Sequence, residues 1–211
     1  IYNATTTERI HTGRPFAEAI KAEVERAGAK RVLLLIGGTL ETKTPVGPAV
    51  KEALGNRLAG TYTGLGAHTP RDRVVEGAAM GRDAKADLIV AVGGGSVIDG
   101  AKVVALAMAN GVKAPADLDG KHTSLAPDGA ILDPDIKAPE VRIVAVPTTL
   151  SAAEFSGHAG CTDKASGRKH MYRHRMMTPQ AIVLDPAAGL HTPEWLWLSS
   201  GIRAVDHAVE D

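Results

Sequence analysis

Four shortages bound what this 211-residue sequence encodes. A single cysteine, Cys161, cannot form an intramolecular disulfide. Aromatic residues make up only 3% of the chain, too few for a surface that stacks nucleic-acid bases. Lysine plus arginine numbers 24, as does aspartate plus glutamate, so no charge excess draws the chain to nucleic acid or an anionic membrane. No apolar run approaches the roughly 20 residues that span a bilayer. The opening IYNATTTERI also lacks the basic and then apolar order of a secretion signal. These absences predict a cytoplasmic protein whose partner is a small-molecule substrate, not nucleic acid and not a membrane.

Glycine, alanine and valine abound instead, which suits closely packed α/β layers, and the length makes one large or two small domains. From Pro15 to Ala27 the apolar positions recur at helical spacing, with Gly28 placed as a C-terminal cap. Arg31 to Ile36 is a short apolar run ended by two glycines, as in a strand buried on both faces of a parallel sheet. Lys51 to Leu58 reads as the end of a second helix and Thr61 to Leu65 as a strand. Thr69 to Ala84 reads as a third helix, capped by Thr69 with Pro70 at its first position. The cycle repeats with a strand at Leu88 to Val92 and a helix from Val97 to Ala109. The stretch 111–139, rich in Pro, Asp and Gly, predicts an irregular excursion with one short helix near Pro115. VRIVAVP, AGCTD and AIVLD read as further strands. Thr192 and Pro193 open a last helix whose Trp195, Leu198, Ile202, Val205 and Val209 are spaced for one buried face. Strands alternating with helices, and no hairpin signals, predict an α/β fold with a doubly wound parallel sheet. The last helix meets no stop residue, which predicts that the sequence belongs to a larger protein.

The most informative motif is AVGGGSVIDGAK, Ala91 to Lys102, in which a strand runs through Gly93, Gly94, Gly95 and Ser96 into a helix. Glycines turn the backbone tightly, and the free N–H groups of the first helical turn face a phosphate with the helix dipole behind them. The motif is neither GxGxxG nor GxxxxGK[ST], so ordinary Rossmann dehydrogenases and P-loop ATPases fit poorly. Asp99 and Lys102, three apart, read as a surface ion pair. Thr148 and Thr149 stand directly after a strand in VPTTLSAAEFSG, either lining a site or capping a turn. GRKHMYRHRM reads as a charged run from which one lysine could reach a ribose or phosphate.

Together GGGSVIDGAK, VPTTLSAAE, the following GRK and the terminal SSGIRAVDHAVE resemble the iron-containing alcohol dehydrogenase superfamily, from about Glu8 to the end. The resemblance implies a Rossmann-like dinucleotide-binding domain over residues 1–190. Residues 191–211 would then be the first helix of an incomplete all-helical domain, with the active site in the cleft between the two. It implies that Gly94, Gly95 and Ser96 hold the cofactor pyrophosphate and that Asp99 lies near the nicotinamide side. Thr148 and Thr149 match the pair at the nicotinamide end, Lys169 a cofactor-binding lysine, and Leu184 a position on the strand beside it. Gly37, Gly38 and Thr39 occupy the place where NAD-preferring members carry an aspartate on the adenosine ribose, so NADPH is expected alongside NADH, with Glu41 nearby. A homodimer joined through the N-terminal strands is also implied.

The sequence departs from the iron enzymes at the metal helix, whose ligands are an aspartate and a histidine four residues later. Arg203 stands at the aspartate's position and His207 at the histidine's. Asp206 cannot substitute, because adjacent helical positions point about 100° apart, and a guanidinium does not bind a divalent cation. The maleylacetate reductase branch likewise lacks the aspartate and works without metal, and GAHTP, Gly66 to Pro70, is similar to its segment after the third strand. That branch usually carries asparagine where Arg203 stands. The expectation is an NAD(P)H-dependent oxidoreductase that reduces maleylacetate to 3-oxoadipate in aromatic-compound degradation, without a metal. Arg203 would bind a carboxylate or an enolate; His207 would orient substrate, supply a proton or merely pack between domains. The alternatives are an iron- or zinc-dependent alcohol dehydrogenase and a non-catalytic dinucleotide-binding module.

Overall fold

The computed structural model describes residues 6–210, except the side chains of Ala204, His207, Ala208 and Glu210. In chain order the elements are β1 (Arg9–Thr12), α1 (Phe16–Arg26), β2 (Val32–Ile36), α2 (Gly38–Lys43), α3 (Val46–Leu54) and β3 (Leu58–Tyr62). Then come α4 (Arg71–Asp83), β4 (Leu88–Gly93), α5 (Gly95–Ala109), β5 (Ser124–Leu125), β6 (Ile131–Leu132) and β7 (Arg142–Pro147). The remainder is β8 (His158–Asp163), β9 (Arg168–Arg173), β10 (Ala181–Leu184), α6 (Pro186–Gly189) and α7 (Glu194–Glu210). No described helix is long and apolar enough to cross a membrane.

Six strands form one sheet in the order β1-β10-β7-β4-β2-β3, with every neighbouring pair parallel. The apolar strands β2 and β4 are buried along their whole length, because helices cover both faces. Leu33, Leu35, Ile89 and Ala91 pack with Val74, Ala78 and Val104 of α4 and α5. Val32, Leu34, Ile36, Val90 and Val92 face the other way, onto Ile20 and Val24 of α1 and Val50 of α3. That alternation is the two-residue period of a strand read out on two cores. Strand order reverses between β2 and β4, since the chain leaves β2 toward β3 and leaves β4 toward β7. The crevice beyond their carboxyl ends is where open α/β sheets bind ligands.

Several boundaries differ from the sequence expectation. The second helix ends at Leu54, where Gly55 takes φ +52, and Leu58 already belongs to β3; a left-handed glycine there stops the helix and lets the strand start early. Thr69 does not cap α4. It lies at φ 52, and its hydroxyl donates to the Ser96 carbonyl at 3.0 Å. Hairpins are present: β5 pairs with β6 and β8 with β9, both antiparallel and outside the main sheet. AGCTD thus lies in β8, and the charged run GRKHMYRHRM is largely its partner β9. The buried Tyr172 and the inward-facing Cys161 give this ribbon its apolar side.

The face of α7 expected to be buried is open. Trp195, Leu198, Ile202, Val205 and Val209 are all exposed, and the helix docks through other residues. The Thr192 hydroxyl donates to the Thr148 carbonyl at 2.7 Å, and the Leu150 N–H donates to Ser200 Oγ at 3.1 Å. The Trp197 ring lies against Gly189, where an added Cβ would stand 3.1 Å from it.

Candidate active site

The glycine turn at the end of β4 is built by packing as well as by conformational need. Gly93 has φ +156 and Gly94 is the N-terminal cap of α5. A Cβ on Gly94 would stand 3.0 Å from Thr149 Cγ2, and one on Gly95 would stand 2.7 Å from Ser151 Oγ. The loop after β7 therefore closes over the turn, tied by the Thr148 N–H donating to the Gly93 carbonyl at 2.9 Å. The Val97 and Ile98 N–H groups donate to the Gly94 carbonyl, which leaves those of Gly95 and Ser96, at the start of α5, without an intrahelical acceptor. Narrow backbone, free N–H groups and the Ser96 hydroxyl fit a dinucleotide pyrophosphate.

Two clefts flank this loop. The first, about 510 Å³, is lined by Gly95, Ser96, Asp99, Ser151, His158, Lys169 and Arg203 among others. It brings together sequence-predicted residues from α5, β9 and α7. The second, about 540 Å³ and mostly apolar, is lined by Thr149, Leu184, Glu154, Phe155 and Trp197 among others. Leu184 therefore does not sit beside Lys169: β10 pairs with β7 and β1, whereas Lys169 is on the separate ribbon. Thr148 lines neither cleft, being buried and used through its backbone. Gly37, Gly38 and Thr39 stand at the end of β2 and the start of α2, at the crevice but outside both clefts. The carboxylate of Glu41 is paired to Lys51 of α3. The side chain of His207 lies outside the described residues.

Lys102 overturns the surface ion pair read from the sequence. It is wholly buried, and its ammonium donates to the Ala153 carbonyl at 2.5 Å, the His158 carbonyl at 2.8 Å, Ser156 Oγ at 3.2 Å and Asp99 Oδ1 at 3.4 Å. Burial pulls its pKa down, and the attraction of Asp99 opposes that. Asp99 also accepts the Gly160 N–H at 3.2 Å. This one cation fastens the segment from Ala153 to His158 onto α5. The fastening holds Ala152, between the clefts, at φ 56, a conformation that costs a residue with a Cβ on the order of 1 kcal/mol.

Two site residues escaped the sequence reading. Glu154 is buried with Oε2 unpartnered, and desolvation pushes its pKa up. His158 opens β8 and lines the polar cleft; burial pushes its pKa down, and Lys102 adds to this. Lys102 carried a signal, a lone charge within the apolar run of α5; His158 carried none.

Residues 7–186 match the family model described as iron-containing alcohol dehydrogenase. Dehydrogenase FUM7 of Gibberella moniliformis is 35% identical over 204 residues, covering 95% of this chain and 48% of that protein. Maleylacetate reductase 2 of Cupriavidus pinatubonensis is 33% identical over 202 residues, covering 96% and 46%. The crystal structure of NADH-dependent butanol dehydrogenase A from Thermotoga maritima superposes on the whole chain and 50% of its own with a TM-score of 0.82, at 23% identity. The chain thus spans about half the length of the relatives it matches. With the family model matching most of its length and these relatives at 33–35% identity, the chain belongs to the iron-containing alcohol dehydrogenase family.

Proposed function

We propose that the protein is an NAD(P)H-dependent reductase of an unsaturated keto dicarboxylic acid, converting maleylacetate to 3-oxoadipate without a metal. The observation that carries this is Arg203 lining the polar cleft with Ser96, Asp99 and Lys169. A guanidinium there repels a divalent cation and offers paired donors to a carboxylate or to enolate oxygen. Bound dihydronicotinamide supplies hydride. The first turn of α5 holds the pyrophosphate, Lys169 meets the cofactor's negative charge, and Arg203 orients the substrate and stabilises the enolate. Thr39 at the ribose position is uncharged and the nearby Glu41 is paired to Lys51, which supports use of NADPH as well as NADH. In this proposal the edge strand β1 joins two copies as a homodimer.

Cofactor oxidation against maleylacetate, with and without chelator, tests the proposal. Turnover insensitive to chelator is expected; a tightly bound stoichiometric metal required for activity overturns the metal-free mechanism. The match of residues 7–186 to the family model described as iron-containing alcohol dehydrogenase favours a second reading, a metal-dependent alcohol or aldehyde dehydrogenase. Turnover of aldehydes and none of maleylacetate supports it.

A further inference from the structure

Reduction of a carbon–carbon double bond or of a carbonyl needs a proton as well as a hydride. Among the described residues lining the polar cleft, few can give one up. The guanidinium of Arg203 binds anions and does not serve as an acid, the ammonium of Lys169 is committed to the cofactor's negative charge in the reading above, and the Thr69 hydroxyl is spent on the Ser96 carbonyl. Ser96, Ser151 and Ser156 offer hydroxyls that are weak acids. Asp99 is engaged with Lys102 and the Gly160 N–H. His158 remains, an imidazole whose ordinary range lies near neutrality.

The position of His158 suits that task in two ways. Its backbone is fixed, because the buried Lys102 ammonium holds its carbonyl at 2.8 Å while the imidazole stays outside that network. It also lines a third cleft, of about 530 Å³, with Arg173, His174, Asp133 and Asp135. A group that borders the reaction cleft and a separate cleft lined by charged side chains can deliver a proton to one and recover it from the other.

We propose that His158 is the general acid of the reaction, resting on the reductase reading above only for the identity of the substrate. Hydride forms a C–H bond at the carbon β to the ketone, and the double-bond electrons move onto the enolate. The imidazolium N–H bond of His158 then breaks as a C–H bond forms at the α carbon, and neutral His158 takes a proton from water entering the third cleft. With an aldehyde substrate the same proton goes to the alkoxide oxygen.

Among the described residues, the charged groups around His158 are Lys102 and Asp99 of α5, Lys169 and Arg173 of β9, Arg203 of α7 and, across the third cleft, Asp133, Asp135, His174 and Arg175. Burial and the neighbouring cations hold its pKa below the usual value, so the free protein loses the active imidazolium as pH rises through that lowered range. The test pairs kinetics with histidine NMR on the full protein. In His158→Gln and His158→Asn, kcat is expected to fall about 100-fold and the alkaline decline of kcat/KM to disappear, while NADPH binding followed by fluorescence is retained. Independently of turnover, the His158 resonance, assigned by its loss in either variant, is expected to titrate, with its midpoint raised by succinate as an unreactive dicarboxylate. Unchanged kcat and pH profile in both variants overturn the proposal and leave the reductase reading standing. Aldehyde turnover that loses its alkaline decline in the variants, with none of maleylacetate, supports His158 and overturns that reading. A His158 resonance that succinate does not move, together with unaltered kinetics, counts against His158 entirely.

Discussion

Helices α5 and α7 both bring residues to the polar cleft, yet they are built on opposite terms. Nearly every residue of α5 from Ile98 to Ala107 is buried, including a lysine, and its first turn is overlaid by the loop after β7. Helix α7 leaves its apolar stripe exposed and is attached through Thr192, Trp197 and Ser200. The half of the cleft that fits the cofactor is therefore enforced by the sheet and its two cores. The half that carries Arg203 rests on a few contacts.

The largest expected effect falls on α5. Lys102→Met removes the ammonium and leaves Asp99 and the carbonyls of Ala153 and His158 without their donor; urea unfolding is expected to show a loss of about 3 kcal/mol. Unchanged stability would mean that the segment from Ala153 to His158 holds itself. Next, Gly95→Ala pushes the new methyl against Ser151, so NADPH affinity is expected to drop at least tenfold, about 1.4 kcal/mol, in a fluorescence titration. On α7, Arg203→Ala should raise KM for maleylacetate about tenfold and leave the KM for NADPH in place. A parallel rise in both would put Arg203 on the cofactor instead.

A smaller effect tests the loop between the helices. Burial raises the Glu154 pKa, so the stability this group contributes is fully present below the ordinary carboxylate range and is lost as pH rises through the elevated value. Glu154→Gln is expected to gain about 1 kcal/mol at pH 7 and nothing at pH 4, read from urea midpoints at both. The smallest effect returns to α7: Leu198→Lys in the 211-residue chain should change stability by less than about 0.5 kcal/mol, because the side chain is already exposed. A large loss would show that the stripe is covered.

Composition and period made the parallel sheet legible, because strands buried on both faces must read as apolar runs and crossovers as helices. The glycine turn was legible for the same local reason, since few backbones pass from strand to helix through three glycines. The boundaries that moved did so where a turn residue, Gly55 or Thr69, outweighed periodicity. Of the ribbon, β8 was legible as a strand, whereas β9 was hidden because its buried Tyr172 stands within a charged run.

By itself, then, the sequence determined the doubly wound fold and the glycine turn from β4 into α5, both consequences of local pattern and spacing. Only the tertiary structure decided that Lys102 is a buried clasp, that Leu184 and Lys169 belong to different clefts, and that His158 joins Asp99 and Arg203. Those facts depend on which distant segments meet across the edge of the sheet. Residues separated by scores of positions leave no periodic trace of a contact that forms only once the chain has folded.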